Sequence, residues 1–168
     1  GDNDIIRFFE NGGNDKKVRW YENTDGLGTF ANAQTLTNLP NTTNSITSYD
    51  DRDKHSLIIE DVNNDNHLDI IVQDANNKTL SYYENLGDTT FSAEIIINDN
   101  FININGIDAK DINNDNTIDI VTTSLQDNQI SWFNNANGLG EYSNEIRITA
   151  SAILPNQVDY ADIDGDGD

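Results

Sequence analysis

Neither cysteine nor methionine occurs in the 168 residues of this chain. Without thiols there is no disulfide framework, no thiolate metal site and no cysteine nucleophile, so any site chemistry falls to oxygen. Without methionine the chain reads as a processed or excised piece of a longer protein, whose targeting signal would lie outside the piece. Positive charge is also scarce: 9 Lys and Arg face 30 Asp and Glu, for a formal net charge of -21 and a pI near 4.1. Such a surface repels nucleic acid and anionic membranes and makes cations the expected partners. No apolar stretch approaches the roughly 20 residues of a membrane helix, and the opening GDNDIIRFF has neither a basic nor an apolar leader segment, so no membrane insertion is expected. Proline appears only as Pro40 and Pro155, and a sustained 3.6-residue periodicity is missing, which removes helical folds.

What the chain does have is asparagine, 27 residues of it, together with 35% hydrophobic residues arranged in repeats. Asp61 to Val72 reads DVNNDNHLDIIV, and Asp111 to Val121 reads DINNDNTIDIV, 50 residues later. A third copy opens 51 residues further on as DIDGDGD, from Asp162 to Asp168. Asp4-Ile5-Ile6 matches the tail of the motif at Asp69-Ile70-Ile71 and Asp119-Ile120-Val121. A second block follows each motif: Trp20-Tyr21-Glu22-Asn23, Tyr82-Tyr83-Glu84-Asn85 and Trp132-Phe133-Asn134-Asn135. Each block runs through a glycine-bearing turn to an aromatic, at Phe30, Phe91 and Tyr142. The units are therefore 1–60, 61–110, 111–161 and the start of a fourth at 162–168. The first carries an insertion at about 38–54, a polar stretch with Pro40 and the cluster Asp50, Asp51 and Asp53.

Within each unit, short runs rich in Ile, Val, Tyr and Trp alternate with Asn, Asp and Gly clusters, the pattern of strands joined by tight turns. In the middle unit strands are expected near Leu68–Gln73, Thr79–Glu84, Glu94–Ile97 and Ile104–Lys110. Four short antiparallel strands repeated every 50 residues or so predict an all-β chain of about three β-propeller blades, a partial propeller or part of a larger or oligomeric ring. A stack of solenoid turns or a sandwich are the competing topologies.

Asp61, Asn63, Asp65 and Asp69 hold positions 1, 3, 5 and 9 of a nine-residue loop, and Asp111, Asn113, Asp115 and Asp119 repeat the spacing. Hard cations such as calcium take six to eight oxygen ligands, and alternate residues of a tight loop can aim several carboxylate and amide oxygens at one point. Position 7 would offer a backbone carbonyl, which suits its varied occupants His67, Thr117 and Asp168. Position 6 must accept left-handed backbone angles, as Asn66, Asn116 and Gly167 do. No second histidine accompanies His67, so its ring is an incidental loop group rather than a transition-metal ligand. An EF-hand would need an acid at position 12, where Val72 and Thr122 stand. A solvated Asp/Asn turn remains the plain alternative to a metal site.

The DxDxDGxxD-type loop running into an apolar strand, then a WYEN-like strand and a glycine turn ending in an aromatic, resembles FG-GAP/VCBS repeats. The resemblance covers the chain outside the insertion. It implies one propeller blade per repeat, calcium bound in the loop, and a secreted or surface-exposed protein. It implies metal ligands Asp61, Asn63, Asp65, His67 by its carbonyl, and Asp69, with a second set at Asp111, Asn113, Asp115, Thr117 by its carbonyl, and Asp119. The incomplete third motif offers Asp162, Asp164, Asp166 and Asp168, and Asp4 matches its missing position 9. The two ends of adjacent copies would thus assemble one shared calcium site, although a tandem continuation fits the pattern equally well. Closed propellers typically have four to eight blades, so further blades of a parent chain or other copies are expected beside these.

A catalytic role has little in its favour. The repeated acids are assigned to metal, and His55 and His67 fall in no triad or zinc spacing. Trp20 and Trp132 could stack on sugars, but their equivalent positions in the repeat suit the blade core. The function expected is a non-catalytic, calcium-stabilised extracellular segment serving adhesion, assembly or binding of a protein or glycan ligand. The rival is an accessory module, for instance carbohydrate-binding, of a secreted hydrolase or lyase.

Overall fold

The structure, a computed structural model, describes residues 3–10, 16–36, 56–74, 78–100 and 104–166. The expected insertion at 38–54, His55, Gly167 and Asp168 lie outside these residues. The described residues contain no helix and form three antiparallel sheets. The first holds β1 (Ile5–Glu10), β2 (Lys16–Tyr21) and β3 (Gln34–Thr35) in that order. The second holds β4 (Ser56–Glu60), β5 (Asp69–Asp74), β6 (Thr79–Tyr83) and β7 (Ile95–Asn98). The third repeats it with β8 (Ile104–Lys110), β9 (Asp119–Ser124), β10 (Gln129–Phe133) and β11 (Ile146–Thr149). These are propeller blades, laid side by side in an arc that does not close.

The sheets are out of phase with the sequence units by one strand. Lys110 ends the middle unit by repeat arithmetic, yet β8 pairs with β9 from Lys110↔Asp119 to Ile104↔Ser124, inside the third sheet. The metal-type loop thus does not open a blade; it links the first strand of a blade to the second. In the first sheet, β1, β2 and β3 correspond to the last three strands of the others.

Strand alternation explains the stacking. In β5, Ile71 joins a core shared with the third sheet, beside Leu80, Tyr82, Ile104, Ile120 and Phe133. Ile70 and Val72 point the other way, to a core with Val18, Leu36, Tyr83 and Phe91 between the first two sheets. The register agrees, since Ile71 pairs with Tyr82 while Ile70 pairs with Tyr83. With both faces covered, every residue of β9 is buried, the polar Asp119, Thr122, Thr123 and Ser124 included. The outer strand β11 is mostly exposed, as an edge strand's weaker apolar pattern predicts. Beyond β11 the chain turns back across the third sheet, where the Asn105 amide donates to Asn156 Oδ1 at 3.2 Å and the Tyr160 amide to Asp108 Oδ2 at 2.9 Å.

Candidate functional site

The loops 61–69 and 111–119 share one hydrogen-bond pattern. In the first, Asp61 Oδ1 and Asn63 Oδ1 both accept from the Asp65 amide, at 3.1 and 3.2 Å. Asp61 Oδ2 accepts from the Asn66 amide at 2.9 Å, and Asp65 Oδ1 from the His67 amide at 2.8 Å. In the second, Asp111, Asn113 and Asp115 accept from the matching amides of Asp115, Asn116 and Thr117 at 2.8–3.1 Å. The backbone curls around these oxygens because two residues per loop are left-handed. Position 6 is one, with φ of 69° at Asn66 and 65° at Asn116. Position 4 is the other, missed in the sequence: Asn64 and Asn114 have φ of 59°, and Gly165 in the third motif has 75°.

Asp65 and Asp115 stay exposed, and Asp61 and Asp111 are partly buried. Thr117 donates its hydroxyl and its amide to Asp115 and holds that carboxyl below the usual range. Asp65 is also lowered: the His67 amide and ring and the Asn63 side chain outweigh the upward push of burial. The His67 ring sits over Gly87, where a Cβ would come within 2.7 Å of it, and its Nδ1 is 3.3 Å from Asp65.

In the two complete loops position 9 sits apart, fully enclosed. Asp69 Oδ1 accepts from the Asn85 amide at 2.8 Å, and Oδ2 from the Val62 amide at 3.1 Å. Burial, with the charges of Asp65 and Asp61 added, pushes its carboxyl up to about 6 against those two donors. Asp119 likewise accepts from the Asn135 amide at 2.8 Å, and burial raises it too. Asp4 accepts from the Asn23 amide at 2.8 Å and the Trp20 indole at 2.9 Å. So position 9 joins the loop's end to the WYEN-like strand in all three sheets. Asp4 keeps this place in the first sheet, while the carboxylates that gather within 4.8 Å at the third motif are Asp162, Asp164 and Asp166, all exposed. Asp168 lies outside the described residues.

Two oxygens around the second loop lack donors. Asp119 Oδ2 and Asn134 Oδ1 are buried with no hydrogen-bond partner, although the Trp132 indole and Ile112 amide lie near enough to the Asp119 carboxyl to draw its pKa partly down. The counterpart of Asn134 in the second sheet is Glu84, whose Oε1 accepts from the Asn63 side-chain Nδ2 at 3.0 Å. A hard cation suits this donor set: carboxylate and amide oxygens held on one loop, with acceptors short of donors. Glu84 and Asn134 were legible only as part of the WYEN-like block.

The next blade's turn docks on the first loop. Asn135 is buried and donates through Nδ2 to Val62 O at 2.7 Å, across the sheet boundary. A Cβ on Gly138 would sit 2.5 Å from the Asn64 amide. Between the first two sheets a cleft of about 560 Å³ remains, walled by Trp20 and Asp4 on one side and Phe91, Thr89 and loop residues Asn66 and His67 on the other. Trp20 also packs partly buried against the core between the first two sheets.

The sequence model of the FG-GAP-like repeat matches residues 61–122 and again 111–168, each match opening on position 1 of a loop. The chain belongs to the FG-GAP-like repeat family. Among curated proteins none matches the chain. Among solved structures, an Agrocybe aegerita lectin described as recognising non-reducing terminal N-acetylglucosamine is similar, with a TM-score of 0.57 and 16% identity. The similarity covers 90% of this chain and 39% of the lectin, so this FG-GAP-like chain spans about two fifths of that protein's length. At that identity the likeness concerns the fold alone.

Proposed function

We propose that this FG-GAP-like chain is a calcium-stabilised propeller segment acting outside the cell in adhesion, assembly or ligand binding, without catalysis of its own. The observation that carries the reading is the repeated loop, in which the same oxygens are arranged by the same amides at 61–69 and 111–119. Asp61, Asn63 and Asp65 would hold the first ion, with Asp69 at the loop's end and the His67 carbonyl. Asp111, Asn113, Asp115, the Thr117 carbonyl and Asp119 would hold the second. A bound cation supplies the charge that offsets repulsion among these carboxylates. The residues then do mechanical work: Asp69 and Asp119 fix the loop to the WYEN-like strand, and Asn135 fixes the loop's start to the next blade. An affinity on the order of 10⁻⁴ to 10⁻³ M is expected, matching abundant extracellular calcium, and a secreted or surface location follows from it. Equilibrium dialysis with calcium should find at least two ions per chain, and Asp61→Ala should lose one of them. An unchanged count would remove the first site.

The second reading, a carbohydrate-binding module alone or as an accessory to a secreted hydrolase or lyase, is favoured by the cleft. Trp20 and Phe91 offer ring faces and Asn66, Asn85 and Thr89 offer polar groups, the mixture that sugar recognition uses. The lectin neighbour makes N-acetylglucosamine the first sugar to try. Saturable change in Trp20 fluorescence on adding it would support this reading, and a flat response would end it.

A further inference from the structure

One asparagine touches both complete metal-type loops. Asn135 is fully buried at the boundary between the second and third sheets. Its Nδ2 donates to Val62 O at 2.7 Å, in the second residue of loop 61–69, and to Ile118 O at 3.3 Å, in the eighth of loop 111–119. Its backbone amide donates to Asp119 Oδ1 at 2.8 Å, in the last residue of that second loop. The turn that follows pins the residue in place: Oδ1 accepts from the Gly140 amide at 3.1 Å, and the Asn135 carbonyl from the Gly138 amide at 3.0 Å. The same turn makes a second bridge. A Cβ on Gly138, which has φ of 64°, would lie 2.5 Å from Asn64 Nδ2 in the first loop and 3.0 Å from Thr117 Cγ2 in the second. Glycine serves there for the close approach as well as for the left-handed angle. In the second sheet Asn85 makes the in-sheet bonds of this pattern, to Asp69 Oδ1, Leu68 O and the Gly87 amide. The bond to Val62 O is therefore an addition to the fastening of the turn, not a requirement of it.

We propose that Asn135 couples the two loops, so that an ion held at either one raises the affinity of the other. The inference rests on the calcium reading above and adds a regulation to it. An empty loop keeps its curl only through its own amides, against the repulsion of the carboxylates it gathers. An ion at the first loop draws those oxygens together and fixes the backbone that carries Val62 O. Val62 O then holds the Asn135 side chain where it meets Ile118 O, and the Asn135 amide is set against Asp119, a ligand proposed for the second ion. Whichever ion binds first orders Asn135 and its turn, and the other binds with less left to order. Linkage requires the effect to be equal in both directions. Coupling of about fivefold narrows the calcium range over which these two blades lock together, so the interface responds to calcium as one unit.

The test uses the Trp20→Phe chain, in which Trp132, its indole beside the Asp119 carboxyl, is the single tryptophan and reports on the second loop. Calcium titration of Trp132 fluorescence should give a transition steeper than a single-site curve. Asp61→Ala, which removes the first ion, should reduce it to a single-site curve and move its midpoint to about fivefold higher calcium. With Asn135→Ala also present, Asp61→Ala should move the midpoint no further. A shift that persists in Asn135→Ala overturns Asn135 as the coupling residue, because a merely structural asparagine would lower affinity and leave the shift intact. Hydrogen exchange decides the matter if Asn135→Ala does not fold. In Asp111→Ala, which keeps the first ion and loses the second, calcium should slow exchange of the Asn135 side-chain amide about fivefold, and unchanged exchange removes the bridge. A single-site transition unmoved by Asp61→Ala, with two ions still bound to the parent chain, overturns the coupling and leaves the calcium reading standing. No bound ion in dialysis ends both.

Discussion

The interface between the second and third sheets and the one between the first and second come from the same repeat, and they differ in how much is buried at the turn. In the closed one, Asn135 is wholly enclosed and reaches Val62 O, Ile118 O and the Gly140 amide. In the open one, Asn85 reaches, among the described residues, Leu68 O and the Gly87 amide, both within its own sheet, and stays partly exposed. The same side chain is a cross-blade bolt in one setting and a local turn fastener in the other. What decides is the neighbour: a metal-type loop lies under Asn135, and the cleft lies beside Asn85.

That contrast can be broken at its centre. Asn135→Ala strands the buried Val62 carbonyl and Gly140 amide and should cost about 3 kcal/mol in a calcium-loaded denaturant titration, against about 1 kcal/mol for Asn85→Ala. Equal costs would mean that the cross-blade bond contributes little. Gly140→Ala should cost about 2 to 3 kcal/mol, because it adds left-handed strain to an overlap with Tyr82, whereas Gly28→Ala meets open space and should cost about 1 kcal/mol of strain alone. A Gly140→Ala chain as stable as Gly28→Ala would show that the turn does not press on Tyr82.

The smallest effect expected is on pH dependence. Burial raises the phenol of Tyr142 strongly and that of Tyr82 less, from an ordinary value of 10.0. A folded pKa above the unfolded one gives stability that is complete below the unfolded value and disappears as pH rises through the folded one. Part of the phenolate absorbance should therefore appear only with the loss of β-sheet signal in alkali, and Tyr142→Phe should remove most of that part. Full, reversible ionisation near pH 10 with the fold intact would contradict the closed interface.

Much of the fold was legible because it rests on local pattern. The Ile- and Val-rich runs at 69–74 and 119–124 lie between Asn/Asp turns, and both became strands buried on two faces. The phase of the blades was not legible, because pairing Lys110 with Asp119 rather than with the strand before it is settled by packing and leaves no mark on repeat spacing. The candidate ligands were readable from their alternation, yet their arrangement rests on left-handed Asn64 and Asn114, which no spacing rule singled out. The asparagine of the WYEN-like block carried no signal of its reach across blades, since Asn85 and Asn135 are the same letter with different neighbours.

The central claim is that the repeated Asp/Asn loops are calcium sites that hold the blades together. The most direct test is a thermal melt of the chain in millimolar calcium and again with chelator, with bound calcium counted in parallel. With affinities of the order proposed, about 1 mM calcium is a one- to tenfold excess, so each occupied loop should add about 0.4 to 1.4 kcal/mol and two loops should raise the melting temperature by about 2 to 10 °C. At least two ions per chain and a shift of that size are the predicted result. An unchanged melt with no bound ion would reduce the loops to hydrogen-bonded turns and contradict the account.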